Sequence, residues 1–377
     1  MSNMNDWGWN QAGHAESLGV NGNPPDDGKG HSGDGHAAAL VPARVVRHVH
    51  HSYDLVCAPD ARVVRGQVSG AFEFATAGPA DFPTAGDWVL VEPDSGRIQR
   101  LLPRRTAVSR HVAGDETLEQ VVVANVDVLL LIFALDGGRG FTIGLLERSL
   151  TTAWNSGARP IVVLNKADIA DPETQEQALR DVEANAPGVP VHLVSAHNGA
   201  GVRDLLEEAK RDETVGMLGK SGVGKSALLN AFARERGADP TAVEGALRRS
   251  DSQGRHTTTD KRLYRLPGGP IIADVPGLRE LQLWADHDSL EATFPDVESL
   301  SAECRFRDCN HHGEPGCRIA EALATGELPM ERYERYLDLQ RELAFLARKK
   351  DIRAAQEEKL KWKQIAEHQR AAKKHRR

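Results

Sequence analysis

Residues 219–226 read Gly-Lys-Ser-Gly-Val-Gly-Lys-Ser, a stretch of the form GxxxxGK[ST]. Glycines at 219, 222 and 224 let the backbone turn tightly and bring its N–H groups onto phosphate oxygens. The cradle is expected to run through Gly219, Lys220, Ser221, Gly222, Val223, Gly224, Lys225, Ser226 and Ala227. Lys225 would set a point charge on the β- and γ-phosphates, which makes it a candidate catalytic group. The Ser226 hydroxyl is placed for magnesium. Upstream, residues 214–218 (TVGML) read as a short buried strand, and residues 227–234 (ALLNAFAR) read as a helix. A strand, a glycine loop and a helix in that order put an anion at a helix N-terminus and point to a parallel α/β domain.

The base should be guanine. Asn165-Lys166-Ala167-Asp168 has the form NKxD and follows the apolar run 161–164. An aspartate there accepts hydrogen bonds from both guanine N1–H and the exocyclic amine. Adenine lacks that donor pair and would leave Asp168 unpaired. Ser195-Ala196 closes a further strand, 191–194 (VHLV), and is placed to offer a backbone N–H to guanine O6. Asp274-Val275-Pro276-Gly277 follows the strand 271–273; Asp274 is a candidate magnesium holder, and Gly277 would sense the γ-phosphate. The polar run 254–259 (GRHTTT) reads as a switch loop in which one of Thr257, Thr258 and Thr259 closes over magnesium, with Thr258 taken as the candidate. GTP and GDP are therefore the expected small-molecule partners.

The order of these segments is unusual. Asn165 precedes Gly219 by 54 residues, and the DxxG segment comes after the phosphate loop. That is a circular permutation of the ordinary arrangement. The site needs strand ends brought together in space and does not need them in chain order.

The chain has 377 residues, enough for two or three domains. It has no apolar run of membrane-spanning length, and its first 40 residues, rich in Gly, Asn, Asp and His, lack the apolar centre of a signal peptide. No membrane partner, a cytoplasmic location, a monomer and an unstructured 1–40 are expected. The net charge of −7 is uneven: residues 349–377 carry eleven Lys and Arg against four acids, a net +7. A basic tail on an acidic body suggests nucleic acid as a partner.

Residues 41–112 read as short strands broken by turns, near 43–48, 62–68, 87–92 and 96–102. They suit a small barrel of the oligonucleotide-binding type, with an SH3-like barrel as the close alternative. Arg44, Arg47, Arg62, Arg65, Arg100, Arg104, Arg105 and Arg110 make this segment basic enough for RNA. Near the other end, Cys304-x4-Cys309-x-His311-x5-Cys317 gathers soft ligands within 14 residues. Three thiolates and one imidazole fill a tetrahedral zinc with no open position, so a structural zinc is expected, with His312 a possible substitute for His311. Cys57, the fourth cysteine, reads as a buried apolar residue. Residues 331–348 show a helical period.

Together, the NKAD, SAHNGAG, GKSGVGKSALLN, GRHTTT and DVPGLRE segments and the zinc spacing resemble the RsgA (YjeQ-type) family of circularly permuted GTPases, over roughly residues 41–345. The resemblance implies an oligonucleotide-binding barrel at 41–112, a permuted GTPase domain at 113–288, a zinc module at 289–347 and a basic helical tail at 348–377. It also implies slow GTP hydrolysis stimulated by the small ribosomal subunit, with that subunit's rRNA as partner. Leu278 stands after the DxxG segment, where many GTPases carry a water-orienting glutamine, and leucine cannot do that work. His256 in the switch loop is the expected replacement. A GTP sensor with negligible turnover and a metal-delivery GTPase are the alternative readings.

Overall fold

The computed structural model describes residues 4–9, 40–112, 115–138, 140–238, 260–274 and 287–348. The expectations for His256, Thr257, Thr258, Thr259, Gly277 and the tail 349–377 lie outside the described residues. The chain divides into two units, Met1–Arg110 with Val121–Gln282, and His111–Gln120 with Leu283–Arg377.

In the first unit the amino-terminal strands are β1 (Val41–Val49), β2 (Ser52–Cys57), β3 (Arg62–Val68), β4 (Trp88–Val91) and β5 (Arg97–Leu101), with a short helix α1 (Gly70–Ala75) after β3. They pair in the order β1-β2-β3-β5-β4, and β1 also pairs with β4, so the sheet closes on itself. All neighbours are antiparallel except β3 and β5, where Gln67 faces Arg97 in parallel register. A closed five-stranded barrel with one parallel pair is of the oligonucleotide-binding type. β2 has no counterpart among the strands read from sequence, because its polar Ser52 and Asp54 hide the alternation of Tyr53, Leu55 and Cys57 into the barrel core. Cys57 is buried there, as its isolation suggested.

After the paired strands β6 (Ala107–Val112) and β7 (Asp115–Ala124) come β8 (Val128–Ala134), α2 (Ile143–Ser156), β9 (Arg159–Asn165), α3 (Pro172–Asn185), β10 (Val191–Val194), α4 (Val202–Glu207), β11 (Thr214–Leu218), α5 (Lys225–Glu235), β12 (Lys261–Arg265) and β13 (Ile271–Asp274). The sheet runs β10-β9-β8-β11-β13-β12, with only β12 antiparallel to its neighbour β13. β8 is a continuous apolar run because both its faces are covered. Leu129, Leu131 and Phe133 point to one core with Leu146 and Leu150 of α2 and Val182 of α3. Val128, Leu130 and Ile132 point to the other with Leu205 of α4 and Leu228 and Phe232 of α5. Burying one such Leu or Phe contributes roughly 1.5–3 kcal/mol.

The two sheets are one. β12 pairs antiparallel with β1, Arg47 opposite Arg262 and His48 opposite Lys261, which makes eleven strands in a row. Asn125 and Asp127 complete the join. Buried Asn125 accepts the Arg105 N–H at 3.0 Å and donates to the Gly86 carbonyl at 3.0 Å, while Asp127 accepts the Thr214 N–H at 2.8 Å. The expectation of an unstructured 1–40 does not hold for residues 4–9, where Met4–Trp7 forms a 3-10 turn and Met4 is buried in the core. The apolar Met4, Trp7 and Trp9 override the polar composition around them.

The second unit holds α6 (His287–Thr293), α7 (Pro295–Ala302), α8 (Arg318–Thr325) and α9 (residues 330–348). Tyr333, Tyr336, Leu339 and Leu343 of α9 pack on Leu290, Phe294 and Val297. Buried Arg332 makes two bonds of 2.9 and 2.8 Å to Asp296 and lies over the Phe294 ring. No helix among the described residues is long and apolar enough to cross a membrane.

Candidate functional site

β11 lies in the middle of the parallel strands, between β13 and β8, and its carboxyl end opens into the glycine loop. Open α/β sheets bind ligands in the crevice at such strand ends. Gly222 (φ 84°) and Gly224 (φ 99°) adopt left-handed backbone that a side chain would strain. Gly219 is required for another reason: a Cβ there would lie 2.5 Å from the Ile132 carbonyl oxygen of β8. Lys225 opens α5, and its ammonium donates to the Gly219 carbonyl and, at 2.8 Å, to that of Lys220. The ammonium is thus held over the loop. Ser226 and Ala227 follow, both exposed.

Asn165 ties three loops together. It is buried at the end of β9, its Nδ2 donates to the Val223 carbonyl at 2.7 Å, and its Oδ1 accepts the Ala196 N–H at 3.1 Å. The asparagine of NKAD, the Ser-Ala segment and the phosphate loop therefore meet at one side chain. Lys166 takes a left-handed φ of 67° and pairs with Asp136 at 2.6 Å. That bond holds the Asp136 carboxylate below its ordinary pKa. Asp136, just after β8, escaped sequence reading because nothing local marks it as the lysine's partner. The Ala167 N–H donates to the Val194 carbonyl at 3.1 Å.

Asp168 is open to solvent. A hydrogen bond from Ser195 lowers its pKa, so it is ionised and ready to accept. Ser195 is buried, and its hydroxyl accepts the Asn198 N–H at 3.2 Å, which shapes the turn after β10. Asp274 closes β13 opposite Arg262. The parallel strands thus bring to one edge every described residue that the nucleotide motifs singled out. The glycine loop and the exposed, ionised Asp168 carboxylate thus follow the carboxyl ends of strands in one parallel sheet.

The barrel's basic residues are sorted by the fold. Arg44 is buried, Arg104 makes two 2.8 Å bonds to Asp87, and Arg47 makes two bonds of 2.8 and 2.7 Å to Asp260. Arg44 is thus withdrawn from the surface, while Arg47 and Arg104 are partly exposed and engaged by carboxylates. Arg62 and Arg65 of β3 and Arg97 and Arg100 of β5 are exposed on strands that pair.

In the second unit the ligand atoms of Cys304, Cys309, His311 and Cys317 all lie within 4.8 Å of one another. His311 Nδ1 is 3.6 Å from the sulfurs of Cys304 and Cys317, while its Nε2 is 3.2 Å from the Ser301 hydroxyl. Ser301 on α7 thereby turns Nδ1 towards the thiols, the usual role of a partner behind a ligating imidazole. His312 instead gives its backbone N–H to Glu314 at 2.8 Å, so His311 is the clustered one. The N–H groups of Arg318 and Ala320, at the start of α8, reach the sulfurs of Cys304 and Cys317 at 3.4 Å. Burial pushes the Cys304 thiol up, but the Arg318 and Ile319 amides and the neighbouring thiols outweigh it and its pKa falls. Soft donors converging with amide support fit one tetrahedral zinc.

Comparison with known proteins follows the same lines. Residues 101–284 match the family model described as RsgA GTPase. A protein of Oceanobacillus iheyensis named small ribosomal subunit biogenesis GTPase RsgA 1 is 40% identical over 304 residues, 79% of this chain and 84% of that one. The small ribosomal subunit biogenesis GTPase RsgA of Opitutus terrae is 41% identical over 350 residues, 88% of this chain and 91% of that one. Among solved structures, YjeQ from Thermotoga maritima superposes with a TM-score of 0.60 at 26% identity, covering 81% of this chain and 99% of its own. YloQ, described as a circularly permuted GTPase, shares the fold with a TM-score of 0.58 at 22% identity, over 83% of this chain and 98% of its own. With the phosphate loop central in the sheet, the guanine-side segments ahead of it in the chain and relatives at this identity along most of its length, the chain belongs to the RsgA family of GTP-hydrolysing enzymes.

Proposed function

We propose that this GTPase binds the small ribosomal subunit through its rRNA, assists late maturation of that subunit, and leaves when GTP is hydrolysed. The observation that carries the reading is the junction at Asn165, where the guanine-side loops and the phosphate loop share one side chain. The names of the relatives supply the subunit. On this reading Asp168 reads the guanine edge, with Asn165, Lys166, Ala167, Ser195 and Ala196 shaping its pocket. Residues 219–227 hold the phosphates, and Gly277 senses the γ-phosphate.

Magnesium, which neutralises charge on the β- and γ-phosphates, would be held by Ser226, Asp274 and Thr258. Lys225 would stabilise charge on the γ-phosphate, and His256 would orient the attacking water in place of the missing glutamine. Zinc at Cys304, Cys309, His311 and Cys317 supplies a structural cross-link in the second unit. A closed set of this kind argues against metal delivery. The barrel 41–112, the zinc module 289–347 and the tail 348–377 would hold rRNA, and the GTPase domain 113–288 would hydrolyse GTP.

The test is multiple-turnover GTP hydrolysis with and without small subunits, beside co-sedimentation with subunits in GDP and in a non-hydrolysable GTP analogue. Stimulated turnover and tighter sedimentation with the analogue are expected. Equal sedimentation in both nucleotides, with no stimulation, would sink the proposal. His256→Ala should lower kcat with nucleotide affinity nearly kept, since water placement matters only on the way to the transition state.

A further inference from the structure

Residues 4–9 (MNDWGW) stand against both halves of the first unit. Met4 is buried, and Trp7 and Trp9 pack on the same core. The segment closes on itself, with the Trp9 N–H donating to the Met4 carbonyl at 3.1 Å and the Gly8 N–H to the Asn5 carbonyl at 3.0 Å. On the barrel side, the Trp9 ring meets the Trp88 ring of β4 edge-on at 4.8 Å, and Arg44 of β1 donates to the Trp7 carbonyl. On the other side, Asp6 pairs at 3.0 Å with both Arg211, just ahead of β11, and Arg265, the last residue of β12.

The notch that receives the segment is shaped for an acceptor. Arg44 is buried, lies over the Trp88 ring at 5.2 Å, and has no carboxylate bond among the described residues. Its Nη2 donates to the Thr214 hydroxyl at 2.7 Å, its Nη1 to Trp7, and its Nε has no partner among the described residues. A buried guanidinium needs its donors used, and the Trp7 carbonyl answers one of them. Burial pulls Arg44 down to about 10, against the help of Asp127, so it stays charged at neutral pH. Gly8 fits for steric reasons: its φ is 78°, and a Cβ would lie 2.8 Å from the Asp212 carbonyl oxygen and 3.0 Å from Arg44 Nη1.

We infer that the notch between Arg44, Trp88, Thr214, Arg211 and Arg265 is a peptide-recognition site for an acidic, tryptophan-bearing segment, and that residues 4–9 occupy it in cis as a tethered ligand that clasps the barrel to the nucleotide-binding sheet. Thirty residues, 10–39, separate the segment from the barrel. Because the segment belongs to the same chain, its seating in the notch is an intramolecular event. The notch sits where β11 begins at Thr214, and the phosphate loop follows where β11 ends at Leu218. The clasp therefore touches no nucleotide-binding residue.

The test uses the full chain carrying Asp6→Lys and Gly8→Ala together. The first change sets a lysine against Arg211 and Arg265, and the second drives a methyl into the Asp212 carbonyl. A labelled synthetic peptide of residues 1–12 is titrated into this variant and into the parent, read by fluorescence anisotropy. The expected result is saturable binding to the variant, at least tenfold tighter than to the parent, whose notch is filled, with intrinsic GTP hydrolysis equal in the two proteins. No saturation of the variant up to a millimolar of peptide would overturn the inference. So would equal binding to both proteins, which places the peptide elsewhere. Loss of GTP hydrolysis in the variant would show the segment to be part of the core and not a ligand. A parent that sizes as an exchanged dimer would overturn the assignment in cis.

Discussion

The amide nitrogen Nδ2 of Asn165 lies 2.3 Å from the point that a Cβ on Gly224 would occupy. That closeness binds the guanine side of the site to its phosphate side. Gly224 is also left-handed, at φ 99°, and caps the start of α5. Gly224→Ala must therefore push Asn165 away from Val223 and Ala196 and strain its own backbone. GTP affinity measured by calorimetry should fall at least tenfold, equivalent to about 1.4 kcal/mol. Asn165→Ala, which strands a buried carbonyl and a buried N–H, should lower unfolding stability by about 1–3 kcal/mol. Wild-type affinity in Gly224→Ala would show that this close approach does not shape the site.

Asp168 is ionised and exposed, with Ser195 as its hydrogen-bond donor. Asp168→Asn replaces an acceptor with a donor. The variant should prefer xanthosine triphosphate to GTP in a fluorescence competition, because the xanthine carbonyl accepts where the guanine amine can only donate. An unchanged preference for GTP would show that Asp168 does not read the base.

The four clustered ligands lie within one short stretch of the second unit. Cys309→Ser should reduce bound zinc from one per chain to near none and melt that unit, while GTP binding persists, because the cross-link is local. Ser301→Ala should weaken zinc affinity by about 10–100-fold, since the ring of His311 loses the partner behind it. Zinc retained in full by Cys309→Ser in metal analysis would contradict the assignment.

Lys261 is buried where the sheet of the nucleotide domain meets the barrel, and it donates to the Thr84 hydroxyl at 2.9 Å and the Val121 carbonyl at 3.1 Å. Burial pulls its pKa from 10.5 to about 8, with Arg110 and Arg104 adding to the shift and Asp87 opposing it. The unfolded chain keeps this proton up to 10.5 and the folded chain only to about 8. Between those values the unfolded state binds more protons, so this group's penalty is full below pH 8 and fades as pH rises. Relative to Lys261→Met, the wild type should gain roughly 2–3 kcal/mol between pH 8 and 10.5, read by urea unfolding. A difference that stays flat with pH would show the lysine to be solvated.

The tail 349–377 carries a net +7. If it binds rRNA, deleting it should lower the slope of log affinity for small subunits against log salt by about 0.7–0.9 for each phosphate that the tail neutralises. Intrinsic hydrolysis should survive, because the motifs of the nucleotide site all precede the tail. Equal slopes for the two proteins would assign the rRNA binding to the barrel and the zinc module.

The sequence by itself determined the phosphate loop, the guanine segments, their permuted order and the metal ligand set. Each is a property of a few neighbouring residues: glycines that free the backbone, a lysine and a serine at fixed offsets, soft ligands within one short stretch. Tertiary structure alone decided who meets whom. Eight arginines of the barrel looked alike in the chain, yet Arg44 is buried on Thr214, Arg47 and Arg104 are held by Asp260 and Asp87, and Arg62, Arg65 and Arg100 are exposed. β2 was concealed by its polar residues, and the merging of barrel and nucleotide domain into one sheet depends on β1 pairing with β12, strands far apart in the chain. The polar start of the chain looked unstructured, but Met4, Trp7 and Trp9 found a core to pack on and Asp6 found two arginines. Local chemistry is written in adjacent residues, whereas burial and pairing depend on partners that only the folded chain brings within reach.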